Sequence, residues 1–429
     1  MTNTLTDKPT AGYLPLLRAN PNFRNLWLGQ IVSLLGDWFN LIASAALITQ
    51  LSGSGSAIGA LFIIRMLAPF LISPLAGVWA DRYDRRKLLI LSDLLRGFTL
   101  FAFLLVREPQ HIWLLYSLTA FQLAVSGIFY PTRSAMLPDI VSEKEIGAAN
   151  ALTSATWSVM LALGAALGGL SAGLYGIYPS FIIDAATFFL SAYFIYLVQY
   201  QPPSVAAETS FSAALNQYLD GLRYLAKHTP VLFTTLLKPA AALIISGCFQ
   251  VIQVIIAEQV YPIGEGGALS LGILYTAVGV GTGLGPILSR LITRDSPRRL
   301  RIAIMLSYGI AASGFALIST FSSFPVVIAG ALLRGFGVGI NWVFSTQLLY
   351  QLLPAHIRGR VFSTEFALLT LMNAAGSALG GWLLDTGAVT LPSLVGGLAL
   401  VTLLPGILWG LWVFFGRHPA PLSTPASPD

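Results

Sequence analysis

A dense cluster of charged residues separates two long apolar stretches early in the chain. Six of the seven residues 81–87 are charged, and the cluster lies between the apolar stretches 57–80 and 88–106. Only 10% of all residues are charged, and neither flanking helix could bury so many charges together. A tight charged turn between two such stretches is typical of two transmembrane helices that meet at a membrane surface.

The composition indicates the same class. Hydrophobic residues make up 55% of the 429-residue chain, and the mean hydropathy is +0.75, more than a soluble core could hide. The positive charges occur in short loops and form no basic domain, so we expect a lipid bilayer and no nucleic acid as a partner. The lone cysteine, Cys248, lies in an apolar span, and the four histidines lie in loops or at helix ends. We therefore expect no metal and no cofactor, and because no nucleophile, base and orienting group can be placed together, we expect no enzymatic site.

Twelve apolar spans follow one another along the chain. They lie near 25–50, 57–80, 88–106, 111–136, 146–174, 179–199, 231–260, 267–290, 302–321, 324–349, 361–385 and 392–415. Most approach the roughly 20 residues needed to cross the hydrocarbon core. The pattern predicts an all-α membrane protein with twelve transmembrane helices in two pseudo-symmetric six-helix bundles.

The spans divide the chain into five segments. They are an N-terminal cytoplasmic segment (1–24), the first bundle (25–199), a linker (200–230), the second bundle (231–415) and a C-terminal cytoplasmic tail (416–429). In the linker, apolar residues recur at helical spacing between 211 and 225, which predicts an amphipathic helix on the membrane surface. Lysine and arginine gather in the loops on the side of the termini and are nearly missing from the opposite loops, so we predict that both termini are cytoplasmic.

The two halves repeat one another. The motif Gly164-Ala-Ala-Leu-Gly-Gly169 returns as Gly376-Ser-Ala-Leu-Gly-Gly381, and Leu137-Pro138 corresponds to Leu353-Pro354. Duplicated six-helix bundles whose ends lie on one side describe a secondary transporter, in which two halves rock about a central cavity.

The charged loop itself carries a recognisable pattern. The sequence Gly77-x-x-x-Asp81-Arg82-x-x-Arg85-Arg86 resembles the loop signature between helices two and three of the major facilitator superfamily. The segments 35–38 and 133–139 are similar to the branch that contains macrolide efflux pumps and the enterobactin exporter. The resemblance implies proton-driven export of small amphipathic organic molecules, such as drugs, macrolides or siderophores, across the plasma (inner) membrane. A passive lipid flippase, a scaffold of the same fold and an importer remain alternatives.

The signature loop also has a physical interpretation. Asp81 ends the second helix, where the helix dipole disfavours a negative charge, so it should seek a cationic group or the amino end of another helix. The resemblance implies helix eleven as that partner. We predict that a conformational latch is formed by Gly77, Asp81, Arg82, Arg85 and Arg86.

Charged residues within the spans are the candidates for proton coupling, because a charge at mid-bilayer costs roughly 2.5–3.5 kcal/mol. Asp37 and Arg65 lie at similar middle depths of the first two spans, and Glu365 lies near the inner end of the eleventh, where it could meet the signature loop. Asp37 is either a proton site or a permanent salt-bridge partner of Arg65. Asp93 and Arg96 should satisfy each other.

Further polar residues are candidates for a cavity. The resemblance implies that helices one, four, seven and ten line it, and these helices carry Arg133, Lys238, Gln250, Gln253, Arg334, Asn341 and Trp342. Asp184 and Glu258 should lie near the outer ends, where water can hydrate them. The expected partners are a small-molecule substrate and protons as the coupling ion, with the protein acting as a monomer.

Overall fold

Twelve long helices make up most of the structure, a computed structural model that describes residues 13–142, 145–200, 222–294, 296–387 and 389–415. The long helices are α1 (Pro21–Ser52), α2 (Gly55–Arg82), α3 (Arg85–Phe103), α4 (Ile112–Ile140), α5 (Ile146–Leu174), α6 (Ile177–Tyr196), α7 (Thr229–Val260), α8 (Ala268–Thr293), α9 (Pro297–Ser319), α10 (Phe324–Leu352), α11 (Ala355–Asp385) and α12 (Leu391–Phe415). Short helices precede α1 at Tyr13–Ala19 and α7 at 222–227.

Eleven of these helices are long and apolar enough to cross a membrane, counted over the described residues. The exception is α3, which begins with three basic residues and carries Asp93 and Arg96 further along. Both side chains are buried, because α3 packs between α4 and α6. The predicted class, an all-helical membrane protein, is confirmed, and a twelfth membrane crossing by α3 stays a prediction.

Local sequence signals fix where the helices begin and end. Asn20 caps α1 by accepting a hydrogen bond from the amide of Phe23, and Pro21 follows it at the first helical position. Gly53 ends α1 with a φ of 61°, a conformation that suits glycine. Ser54 then caps α2, and Asp84 caps α3 within the signature loop. Consecutive long helices therefore reverse direction within a few residues.

The first six long helices pack mainly on one another, as do the last six, and two helix pairs form most of the contact between the halves among the described residues. These pairs are α2 with α11 and α5 with α8. The proposed N-terminal segment up to residue 12, the linker residues 201–221 and the tail from residue 416 lie outside the described residues. The predicted linker helix therefore stays a prediction apart from its last turn at 222–227.

The repeated glycine motifs lie at these two junctions. A Cβ atom on Gly169 of α5 would come within 2.6 Å of the Cα atom of Gly272 in α8. A Cβ atom on Gly381 of α11 would come within 2.5 Å of the carbonyl oxygen of Gly55 in α2. Only glycine lets these backbones approach so closely. The repeat thus marks two places where the backbones of the halves approach most closely.

Candidate functional site

Hydrogen bonds between the halves cluster at one end of the molecule. The Asp385 carboxylate at the end of α11 accepts hydrogen bonds from the Ser54 hydroxyl (2.7 Å) and from the amides of Gly55 (2.6 Å) and Ser56 (2.9 Å). Glu265, between α7 and α8, accepts one from the amide of Ile177 (3.3 Å). We call these groups the closed end, which is the end opposite Tyr13 and Phe415.

A buried ion network lies deeper in the first half. The Arg96 guanidinium of α3 donates to Oδ1 of Asp37, and its Nη1 lies 3.6 Å from Oδ1 of Asp93. Ser33 accepts a further hydrogen bond from Arg96 at 3.3 Å, and Ser191 donates to Asp93 at 2.6 Å. The Arg96 side chain is 1% exposed, whereas that of Asp37 is 23% exposed. Asp37 is therefore the member of the network that solvent can reach.

The expected salt bridge between Asp37 and Arg65 does not form. Asp37 binds Arg96 instead, and Arg65 has no hydrogen-bond or ion-pair partner among the described residues. The sequence places Asp37 and Arg65 at comparable depths, but it does not give the rotation of each helix about its axis. The expected pair of Asp93 and Arg96 is present, although Arg96 is shared with Asp37.

Asp37 and Arg65 nevertheless face one cavity of about 300 Å³. Its other walls are apolar and aromatic, and they come from α1, α2, α4 and α5: Leu34, Trp38, Leu41, Met66, Pro69, Leu123, Ser126, Tyr130, Trp157, Met160 and Leu161. Trp38 also makes an edge-to-face contact with Tyr275 of α8 at 5.3 Å between ring centroids. The cavity thus lies beside the junction of the two halves.

The prediction that Asp184 is hydrated near a helix end is wrong. Asp184 is 0% exposed, and a Cβ atom on Gly36 would come within 2.2 Å of its Oδ1 atom. Its second oxygen, Oδ2, has no hydrogen-bond partner among the described residues. Tight packing of α6 against α1 buries this acid, which the position near the start of α6 did not reveal. Glu258 is partly exposed, in keeping with the expectation for that residue.

The second half holds its own buried ion pair. The Lys238 ammonium of α7 donates to Glu365 of α11 at 3.0 Å and to Thr346 of α10 at 2.7 Å. The indole of Trp342 lies 5.0 Å from the ammonium and is 47% exposed. Glu365 therefore binds Lys238, where the sequence had suggested that it could meet the signature loop. This pair joins three of the helices that surround the centre of the second half.

Arg334 of α10 is buried without an acidic partner among the described residues. Its guanidinium donates to the carbonyl of Ile245 at 3.2 Å and lies 4.3 Å from the ring centroid of Phe249. Ile245 belongs to a π-helical stretch of α7, Ala242–Gly247. Wider π-helical turns alter the hydrogen bonding of backbone carbonyls, and here one such carbonyl accepts from Arg334.

The other cavity candidates are dispersed. Arg133 donates to Thr153 at 2.9 Å, and Asn341 donates to the Tyr308 hydroxyl at 3.0 Å. Gln253 is buried and Gln250 is partly exposed. None of these four residues lines the cavity that holds Asp37 and Arg65.

The signature loop is anchored within the first half through its arginines. Arg85 forms an ion pair with Asp139 at 2.7 Å, and Arg86 donates to the carbonyl of Tyr196 and lies over its ring. The Tyr200 hydroxyl also donates to Asp139 at 3.1 Å. The surroundings of the other three predicted latch residues lie outside the described part of the structure; these residues are Gly77, Asp81 and Arg82. Their role stays a prediction.

Three contacts in the structure were not predicted from the sequence. Arg96 was assigned only to Asp93, although its place one helical turn from Asp93 also fits a bridging role. Asp385 has no distinguishing feature in the sequence beyond its position at the end of a span, and Asp139 stands out only as part of the segment 133–139. Each contact depends on how the helices pack in three dimensions.

Comparison with known proteins agrees with this architecture. The chain matches the sequence model of the Major Facilitator Superfamily over residues 26–364. It is 28% identical over 400 residues to the uncharacterized MFS-type transporter YfiS of Bacillus subtilis (strain 168), covering 90% of this chain and 92% of YfiS. It is 25% identical over 390 residues to the enterobactin exporter EntS of Escherichia coli O1:K1 / APEC, covering 88% of each.

A solved structure shows the same fold. The crystal structure of the nucleoside transporter NupG superposes with a TM-score of 0.71 at 13% sequence identity, covering 92% of this chain and 99% of NupG. Transporters of this kind are multi-pass membrane proteins that move small molecules and are not enzymes. The chain described here belongs to the major facilitator superfamily of membrane transporters.

Proposed function

We propose that this transporter exports small amphipathic organic molecules in exchange for protons, by alternating access. In this proposal the protein is a monomer in the plasma membrane, both termini are cytoplasmic, and no nucleic acid takes part. The exporter EntS among its relatives supports the direction, and the basic loops on the side of the termini support the orientation. The closed end is then the outer end, and the cavity faces the cytoplasm.

The observation that carries the proposal is the position of Asp37. It is an acid in the middle of α1, it lines the cavity, and only one of its two carboxylate oxygens is bound by Arg96. A purely structural carboxylate in a membrane is expected to have all its hydrogen-bonding positions filled. The second oxygen, Oδ2, has no hydrogen-bond partner among the described residues, so a proton can reach it through the cavity.

Protonation of Asp37 would change the balance between the two conformations. A neutral Asp37 no longer holds Arg96, and the cavity gains positive charge next to Arg65. A charge change of this kind shifts a conformational equilibrium if the two states solvate the group differently. Substrate binds while Asp37 is ionised and the cavity is open to the cytoplasm. After release outside, a proton binds Asp37 and the empty transporter returns.

Glu365 is the second proton-coupling candidate. It is buried and bound to Lys238 at 3.0 Å, and its Oε1 atom has no hydrogen-bond partner among the described residues. Its side chain is 6% exposed, and Glu365 is not among the residues that line the cavity, whereas Asp37 is. We therefore assign coupling to Asp37 and a stabilising role to the Glu365–Lys238 pair.

Transport into inverted membrane vesicles tests the proposal. The vesicles are given candidate substrates with and without a pH gradient in which the vesicle lumen is acidic. The candidates are lipophilic cations, macrolides, catecholate siderophores and amphipathic peptides. We expect uptake of at least one class to exceed its equilibrium level only with the gradient. Equal uptake with and without the gradient would favour a passive flippase, and uptake only in right-side-out vesicles would favour an importer.

A further inference from the structure

Asp37 and Arg65 present opposite charges to one cavity without being bonded to each other. Both line the cavity of about 300 Å³, yet their charged atoms are more than 4.0 Å apart, beyond ion-pair distance. The two groups therefore share one cavity without forming an ion pair.

Protein contacts leave this pair incomplete. Arg96 binds Oδ1 of Asp37, and Oδ2 has no hydrogen-bond partner among the residues that the structure describes. The Arg65 guanidinium has neither a carboxylate nor a hydrogen-bond acceptor among the described residues. An unpaired charge inside a membrane protein is costly and is typical of substrate and ion pathways. A ligand that carries both a positively and a negatively charged group would pair with the Asp37 carboxylate and the Arg65 guanidinium at the same time.

The rest of the cavity fits the body of such a ligand. Trp38, Tyr130 and Trp157 contribute aromatic surfaces, and Met66 and Met160 add flexible apolar ones. Cavities with mostly apolar walls and a few convergent polar groups are typical of small-molecule sites. Resting on the proposed function, we propose that the substrate is a zwitterionic amphiphile, with its acid group on Arg65, its protonated amine on Asp37 and its apolar body among these side chains.

This assignment gives the proton exchange a direct cause. A substrate amine and a proton compete for the same oxygen of Asp37, so the transporter carries one or the other. The charged and titratable groups that face Asp37 are Arg65 of α2, Asp93 and Arg96 of α3, Tyr130 of α4 and Asp184 of α6. Among them only Arg65 and Tyr130 also line the cavity, and Arg65 is the one that carries a permanent charge.

The contributions of the amine and of the acid group to binding can be measured separately with four forms of one dipeptide. Phenylalanyl-leucine, its N-acetyl form, its C-terminal amide and the doubly blocked form share one body and differ only in charge. Calorimetric titration at pH 7 into the purified full-length protein should show the free dipeptide binding about tenfold or more tightly than either singly blocked form. That ratio corresponds to one charge-assisted contact at each end.

Two variants assign each contact to its residue. Arg65→Gln should weaken the forms with a free acid about tenfold and leave the amides unchanged, and Arg65→Lys should restore part of the loss. Asp37→Asn should weaken only the forms with a free amine. Arg107→Gln and Glu108→Gln, which remove one charge each from the exposed loop after α3, should change none of the four affinities.

Three results would overturn the assignment. They are equal affinity for all four forms, an equal loss for all four forms in Arg65→Gln, and no binding of any form. These titrations need no proton gradient, so they are independent of the exchange mechanism. Selective binding of the free dipeptide without proton-driven uptake would refute proton exchange and leave the zwitterion site supported.

Discussion

The carboxylate of Asp385 accepts a 2.6 Å hydrogen bond from the backbone amide of Gly55. Asp385 ends α11 in the second half, and Gly55 begins α2 in the first half. An acid from one half therefore occupies the positive end of a helix dipole in the other. In the proposed alternating-access cycle, this bond breaks when the two halves separate at the closed end.

Neutralising Asp385 should open the closed end more often. Asp385→Asn keeps one acceptor but removes the negative charge, which is worth about 1 kcal/mol at an exposed helix end. We expect the cavity residue Ser126, replaced by cysteine in a Cys248→Ala background, to react about fivefold faster with an impermeant thiol reagent added outside. Glu108→Gln removes an exposed acid from the loop after α3 and should have no effect. An unchanged rate in Asp385→Asn would show that the bond does not hold the closed end.

The signature loop should control the opposite end. Asp81→Asn is expected to reduce transport at least tenfold while expression and membrane insertion stay normal, since Asp81 opposes its own helix dipole and needs a partner from another helix. Asp84→Ser is the matched control, because serine retains the cap of α3 while removing a charge from the same loop. Normal transport by Asp81→Asn at normal protein levels would remove the latch assignment.

Arg96 should contribute strongly to stability. Its side chain binds both Asp37 and Asp93, so Arg96→Gln leaves the buried Asp93 and the partly exposed Asp37 without their cation and should destabilise the protein by about 3–5 kcal/mol. Thermal unfolding in detergent should show a clearly lower Tm. The double variant Asp93→Asn/Arg96→Gln should recover part of that loss. Because Arg65 has no ion-pair partner among the described residues, Arg65→Gln should lower the Tm much less, and equal losses would contradict the observed pairing.

The glycine contact between α5 and α8 should be essential for closure. In Gly169→Ala the new methyl group would lie 2.6 Å from the Cα atom of Gly272, where only backbone movement can relieve the clash. We expect transport to fall at least tenfold. Gly283→Ala in α8 makes the same substitution where a Cβ atom would meet nothing within 4 Å, and its transport should be normal. A transport assay at matched expression levels compares the two.

The sequence contained most of the fold. Hydropathy and loop charges were enough to predict the helices, and the glycine repeat marked residues that prove to lie at the junction of the halves. The sequence did not predict the rotation of each helix about its own axis. Depth along a span placed Asp37 beside Arg65, but only the packing of α1 against its neighbours decides that Arg96 binds it.

The burial of Asp184 also could not be predicted from its position along the sequence. Asp184 lies seven residues after the start of α6, a position that suggests hydration, yet Gly36 of α1 lets the two helices approach and excludes water. The role of Asp385 depends on the meeting of two helix ends 330 residues apart in the chain. Such contacts follow from tertiary packing and leave no local pattern.

Transport by Asp37→Asn tests proton exchange most directly. The measurement compares two activities of the same reconstituted protein, which are accumulation of substrate against its gradient when a pH gradient is imposed, and exchange of labelled for unlabelled substrate at equilibrium. Asp37→Asn converts the carboxylate to an amide that cannot take up a proton. We therefore predict that accumulation is lost while exchange of labelled for unlabelled substrate continues at a measurable rate. If Asp37→Asn accumulates substrate as well as the parent does, Asp37 is a structural partner of Arg96 and does not carry the proton.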